Sequence, residues 1–246
     1  GVLLHRATRK ETNVAATILF VLLAMPLFGM EIPRFAGIRY LFKITYLHLI
    51  SIVVLLPIFV REIRKRPLKY LFDERAGIFL YSYLILDVMV TMVASGGDGI
   101  TGVMRTIVMS FLGIVVPFAV VSRQIEDDDA LRIAMGCYIV GAAVMAAVGI
   151  VEAWKHWLLY TSLQQPLGWD WGTLYLKRGD ALRAFATAGQ PIPYGYAMAV
   201  GLMLMLGLKR YFERKLFWWG GMALLFGGML AAYSRGPWVG AAAGFL

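Results

Sequence analysis

Several things are scarce in this chain of 246 residues, and each scarcity excludes something. There is one cysteine, Cys137, so no disulfide can form within the chain. Histidine is nearly as rare, at three residues, and none is clustered with that cysteine. A zinc site built on four nitrogen and sulfur ligands is therefore excluded, and we expect no metal and no cofactor. Charge is scarce too, since Asp, Glu, Lys and Arg together make up only 16%. Soluble domains carry about 25%. Short segments of strictly alternating hydrophobicity, the mark of a membrane β-barrel, are missing as well.

What fills the chain is apolar: 60% of residues are hydrophobic and the mean hydropathy is +0.70. A water-soluble globule cannot cover that much apolar surface, and disorder requires low hydrophobicity. The chain therefore reads as an all-α, polytopic membrane protein. A span and its connection take about 30 residues, so the length allows about eight spans. Seven long apolar runs stand out, over 14–30, 38–60, 76–94, 103–122, 131–153, 190–208 and 216–233, and an eighth begins near Pro237. Runs this long and this apolar must be helices. We expect one transmembrane helical domain over 1–246, with 154–188 as a long outer loop. The first residue is Gly and the last apolar run simply stops, so the chain reads as the front part of a longer protein.

The formal net charge of +9 is mostly an orientation signal. With the N-terminus inside, the inner connections hold most of the basic residues, among them Arg6, Arg9, Lys10, Arg61, Arg64, Lys65, Arg66, Lys69, Lys209, Arg210, Arg214 and Lys215. This places the N-terminus in the cytoplasm and gives no reason to invoke nucleic acid. The segment His5-Arg6-Ala7-Thr8-Arg9-Lys10 resembles the start of a signal peptide. The run after it lacks a clear cleavage site, so it reads as a retained span. The acidic run Glu126-Asp127-Asp128-Asp129 reads as a solvated turn. The outer loop holds Trp154, Trp157, Trp169 and Trp171. These rings form either an aromatic belt at the headgroups or stacking platforms for sugar or lipid, and the segment 156–160 fits an interfacial helix.

Ionisable groups inside spans are costly and are functional candidates by default. Lys43 falls about 7–8 Å into the second run, and Asp87 about 10 Å into the third, at 1.5 Å per residue. Arg105 opens the fourth run and is the expected ion-pair partner of Asp87. His48 falls mid-span and reads as a packing histidine. His156 has no neighbour that suggests a nucleophile–base pair.

The sharpest motif is Ala232-Tyr233-Ser234-Arg235-Gly236-Pro237-Trp238. It reads as a tight re-entry into the membrane at the outer face, with Gly236 free of side-chain clash and Pro237 in the first turn of a new helix. The guanidinium of Arg235 matches phosphate oxygens, and the following helix start adds N–H groups and partial positive charge. Snorkelling of Arg235 to lipid headgroups is the competing reading. A second motif, Arg183-Ala184-Phe185 through Gly189-Gln190-Pro191-Ile192-Pro193-Tyr194-Gly195, closes the outer loop and opens the sixth span. There Gly195 permits close helix packing. Arg105, Arg183 and Arg235 together suit a diphosphate headgroup.

Ser234-Arg235-Gly236 after a glycine-rich span, with the Arg183 stretch before it, resembles the O-antigen ligase/polymerase family over about 181–246. The resemblance implies a GT-C-like enzyme of the bacterial inner membrane. Such an enzyme moves a glycan from undecaprenyl diphosphate to an acceptor on the periplasmic side, without metal. The acceptor is a lipid A core, a growing polysaccharide or a protein. The resemblance assigns Arg235 to the diphosphate, and Arg183 where its loop aligns; the residues themselves add Arg105 as a third outer arginine, with Ser234, Gly236, Lys43 and Asp87 in support. In the family the catalytic base lies beyond the Ser-Arg-Gly span, and so beyond Leu246. Two other readings stay open. A transporter or flippase for lipid-linked glycans or small anions suits Pro26, Pro57 and Pro117 within the runs, although no internal repeat is visible. A non-catalytic scaffold accounts for the apolar mass but not for the Ser-Arg-Gly corner.

Overall fold

A computed structural model describes residues 13–26, 28–31, 43–65, 75–94, 99–125, 127–167 and 175–245. Among the described residues the fold is all-α apart from two small antiparallel strand pairs. Its contacts divide into two compact units, Gly1–Phe28 with Asp127–Leu246, and Gly29–Glu126. The basic segment at 5–10 and the rings of Trp169 and Trp171 lie outside the described residues.

The first unit holds α1 (Asn13–Ala24), α5 (Asp128–Lys155), α6 (Leu159–Leu167), α7 (Pro191–Gly207), α8 (Lys215–Ala231) and α9 (Arg235–Phe245). A hairpin of β3 (Lys177–Arg178) and β4 (Ala181–Leu182) precedes α7. Asp127 starts α5: its carboxylate accepts the Ala130 N–H at 2.6 Å, and Asp128 and Asp129 follow in the first turn. Asp127, Asp128 and Asp129 thus form a helix start, where negative charge meets the positive end of the helix dipole. Helices α5, α7 and α8 then pack closely because small residues face one another. A Cβ at Gly228 would lie 2.8 Å from Ala146 Cβ, and one at Gly201 3.4 Å from both Ala142 Cβ and Leu225 Cδ1. Met145, Met198, Leu202 and Leu225 fill the core between them. This is the small-residue packing that membrane helices use.

The second unit holds β1 (Gly29–Glu31), β2 (Lys43–Thr45), α2 (Tyr46–Lys65), α3 (Arg75–Ala94) and α4 (99–124). Helix α2 contains a π-turn at Ser51–Leu55, and α4 contains one at Phe111–Val115. Pro57 follows the first and Pro117 the second at the same offset. Proline cannot donate to the helix ladder, and a wide turn just before it absorbs the disruption. The two turns lie near each other, with Phe59 edge-on to Phe111 at 5.7 Å.

Each apolar run contains a helix. Three helices, Tyr46–Lys65, Thr101–Gln124 and Asp128–Lys155, are long and apolar enough to cross a membrane. Shorter apolar helices, Val14–Ala24, Gly77–Val93, Pro191–Gly207 and Lys215–Ala231, occupy the remaining four runs. The chain is thus a helical membrane protein, and the three long helices are the coarser result behind the expected seven spans.

Two expectations in the second unit are corrected. Lys43 does not lie inside a helix. It lies on β2, paired in register with Glu31. His48 is not mid-span but in the first turn of α2. There its Nδ1 accepts the Thr45 N–H at 3.2 Å and lies 2.8 Å from Thr45 Oγ1. This side-chain cap sets the helix start at Tyr46, eight residues later than hydropathy suggests.

Candidate functional site

The candidate site belongs to the first unit and is built around the end of α8. The last carbonyls of a helix lack partners within the helix and carry partial negative charge. Here the hairpin segment supplies their donors. Ala184 N–H donates to Ala231 O at 3.0 Å, Arg183 Nε to Ala232 O at 3.4 Å, and Arg178 Nη1 to Tyr233 O at 3.1 Å. Arg178 and Arg183 thereby converge on one helix end. Two residues further on, α9 opens with Arg235. The negative end of one helix and the positive end of the next thus meet at a turn of three residues, with arginines from two segments around it.

The Ser-Arg-Gly corner has the local geometry its residue types require. Ser234 is buried, while Arg235 and Gly236 are exposed. Arg235 has no protein acceptor among the described residues, so its guanidinium donors remain available. A Cβ at Gly236 would sit 3.1 Å from Tyr196 Oη, which explains the glycine. Pro237 is buried against Gly195, where a Cβ would come within 2.6 Å of Pro237 Cγ. The close packing expected of Gly195 is therefore the contact that docks the start of α9 on the start of α7. Trp238 Nε1 donates to Met229 O at 3.2 Å and ties α9 back to α8.

The loop after Arg183 is tied at almost every residue. Arg183 N–H donates to Leu176 O at 3.0 Å, and Thr187 Oγ1 donates to Leu23 O on α1. Between these, Phe185 and Ala186 donate their N–H groups to Glu152 Oε2 at 3.2 and 2.9 Å. The other oxygen, Oε1, accepts the Leu159 N–H at 3.1 Å. Glu152 is only 1% exposed. Its carboxylate thus joins the end of α5, the start of α6 and the Arg183 loop. The phenol of Tyr160, on α6, is pushed up first by burial and then by the negative charge of Glu152.

Backbone strain collects in the same place. Among the described residues, three non-glycine residues have positive φ: His156 at 52°, Ala186 at 42° and Tyr233 at 45°. Each costs about 1–2 kcal/mol in an L-residue. Ala186 follows Phe185 in the turn held by Glu152, His156 ends the helix that carries Glu152, and Tyr233 accepts from Arg178. Hydrogen bonds to a charged acceptor contribute about 1.5–3 kcal/mol each, enough to hold the Ala186 turn. Strain held in place by its surroundings clusters at functional sites.

Of the residues expected at the site, Arg183, Ser234, Arg235 and Gly236 come together. Arg105, Lys43 and Asp87 belong to the second unit. There Asp87 accepts from Ser110 Oγ at 2.6 Å. Ser110 lies five residues, about 7.5 Å along the axis, beyond Arg105 on α4. Of the outer-loop aromatics, Trp154 is 73% exposed, with Lys155 Nζ 4.2 Å from its ring centre. In the 156–160 segment Leu158 is buried, Trp157 is exposed, and Tyr160 packs edge-on to Phe28 at 6.1 Å. Sequence reading missed Arg178 and Glu152. Among the described residues no cluster of three or more His, Cys, Asp or Glu is placed to hold a metal ion.

The fold and the corner define a helical membrane protein with an arginine-lined turn between two helix ends. Compared with protein-family models, curated proteins and solved structures, the chain matches none.

Proposed function

We propose that this chain acts in the membrane as a glycan ligase or polymerase that takes its donor as a lipid-linked diphosphate. The observation that carries the reading is Arg235. It is exposed, without a protein acceptor among the described residues, at the start of the eleven-residue α9. The diphosphate leaving group is already charged at neutral pH, so it needs charge stabilisation more than a proton. A guanidinium fork and helix-start N–H groups supply that without reorganisation. Arg178 and Arg183 have donors left beyond the single carbonyl each side chain engages just after α8, and these extend the cationic corner. In this reading the corner faces the periplasm from the bacterial inner membrane, the N-terminus is cytoplasmic, and the shorter apolar helices also span in a GT-C-like bundle. The donor is an undecaprenyl-diphosphate-linked glycan. The acceptor is a lipid A core, a growing polysaccharide or a protein.

The test is Arg235→Ala in the full-length protein, with glycan transfer assayed in membranes. We expect a loss of about 100- to 1,000-fold, the scale for removing one preorganised donor at a developing charge. Arg235→Lys keeps the charge but not the fork, and should fall between. Undiminished transfer by Arg235→Ala sinks the reading. The second unit favours one alternative, a transporter or flippase, because paired π-turns before Pro57 and Pro117 interrupt two helices as translocation paths often require. Uptake of lipid-linked glycan into proteoliposomes, without transfer, would favour that alternative.

A further inference from the structure

We propose that Glu152 is the positioning residue of the arginine corner: its carboxylate sets the turn at Phe185–Ala186 and so places Arg183 against the end of α8. The proposal rests on the diphosphate reading for its functional consequence, but its structural half stands alone. Three observations carry it. Both oxygens of a nearly fully buried carboxylate are used, and all three donors are backbone N–H groups from other segments. Two of those donors belong to the residues directly after Arg183-Ala184. One of them, Ala186, holds φ at 42°, where its Cβ is strained and it has no polar side chain to hydrogen-bond locally. The loop therefore cannot keep its shape from local preference, and the carboxylate replaces the missing local term.

Charge geometry gives the proposal a sharp edge. A carboxylate only accepts, and it can serve donors on both oxygens. The amide of glutamine has one acceptor oxygen and two donor hydrogens. Glu152→Gln must therefore turn an N–H toward at least one of the Leu159, Phe185 and Ala186 amides. The side chain keeps its size, so packing around it is preserved. Helix α5 is 28 residues, about 42 Å at 1.5 Å per residue, against an apolar bilayer core of about 30 Å. Glu152 is three residues from the end of α5, where a charged group fixing a loop is least costly.

The experiment uses the full-length protein in nanodiscs, comparing wild type, Arg235→Ala, Glu152→Gln and Glu152→Gln with Ala186→Gly. Amide exchange is measured over the Phe185–Ala186 peptide, and undecaprenyl diphosphate is the binding probe. In Glu152→Gln we expect exchange at these amides to rise at least tenfold and binding to weaken about tenfold. Adding Ala186→Gly should restore part of the binding, because glycine adopts positive φ without steric cost. Rescue by a change that touches neither ligand nor carboxylate separates positioning from a generally loosened fold. Unchanged exchange in Glu152→Gln overturns the proposal outright. Raised exchange with unchanged binding, while Arg235→Ala loses binding, overturns its functional half. If Arg235→Ala binds as wild type does, the diphosphate reading fails, and exchange alone decides the positioning. Should Glu152→Gln not fold, Glu152→Asp keeps the charge but withdraws it by one methylene. It should show the same two effects at smaller size, and binding and exchange like wild type would overturn the proposal.

Discussion

The two units solve the same problem, an excess of apolar side chains, in opposite ways. In the first unit glycine and alanine let α5, α7 and α8 approach, and residues such as Tyr194, Met198 and Leu225 disappear into the contact. In the second unit α3 turns most of its apolar side chains outward along its length, with Phe79 at 75% and Val93 at 88% exposure. In water that second arrangement would be an aggregation surface. In a bilayer it is inexpensive, because lipid tails are as apolar as leucine. Shape is therefore specified at different places in the two units. The first unit spends its small residues on a unique packing and carries a strained, heavily hydrogen-bonded loop. The second relies on the solvent around its helices, with Ser110 to Asp87 a polar contact between α4 and α3.

The strongest way to break this contrast is to charge an outward position of the second unit. Val53 is near the middle of α2 and is 70% exposed. If that face meets lipid, Val53→Lys should cost about 2.5–3.5 kcal/mol in a membrane-insertion assay, the scale for lysine at a helix centre. A harmless substitution would mean that the face meets water. Next in size is Ser110→Ala. Hydrogen bonds to a charged group contribute about 1.5–3 kcal/mol, and Asp87 would lose the hydroxyl it accepts from. A chemical-unfolding shift of that size is expected, and no shift would deny the contact its role. Comparable is Gly149→Ala in the first unit, where the new Cβ would overlap the Tyr194 hydroxyl. Overpacking of this kind costs about 1–3 kcal/mol. Tyr194→Phe should recover part of it, since that hydroxyl is buried without a partner. A double-mutant cycle that shows simple additivity would refute the overlap.

How much of this was legible in the sequence follows from the range of each signal. The turn at Ser234-Arg235-Gly236-Pro237 and the close packing at Gly195 were legible because proline, glycine and arginine carry their conformational and chemical preferences locally, whereas that Pro237 is what packs on Gly195 was not. Helix positions were legible because hydropathy is a running sum. The same sum misplaced the start of α2: Lys43-Ile44-Thr45 is apolar enough to extend the run, and only the pairing with Gly29–Glu31 and the Thr45–His48 cap reveal a strand there. Glu152 was invisible for a different reason. In sequence it is one acid near the end of an apolar run, whereas its donors lie seven, 33 and 34 residues away. No short window contains them. Arg178 was passed over likewise, because its acceptor is the carbonyl of Tyr233, 55 residues on. Pro57 and Pro117 were noticed as interruptions, but hydropathy has no sign for a π-turn.

The smallest predicted effect is also the most discriminating, because it applies one chemical change twice on one helix. On α8, a Cβ at Gly220 would meet nothing within 4 Å, whereas one at Gly228 would lie 2.8 Å from Ala146 Cβ and 3.1 Å from Ala146 Cα. The Ala146 Cα belongs to helix backbone and cannot swing aside. Alanine restricts the unfolded chain more than glycine does, so in open space it should stabilise a helix interior by about 0.5–1 kcal/mol. Gly220→Ala should therefore raise the unfolding midpoint slightly, and Gly228→Ala should lower it by more. Opposite signs from identical substitutions eight residues apart would locate the tight packing on the α5 side of α8. If both variants shifted the same way, the glycines of α8 would be there for composition rather than for contact, and the contrast between the two units would lose its physical basis.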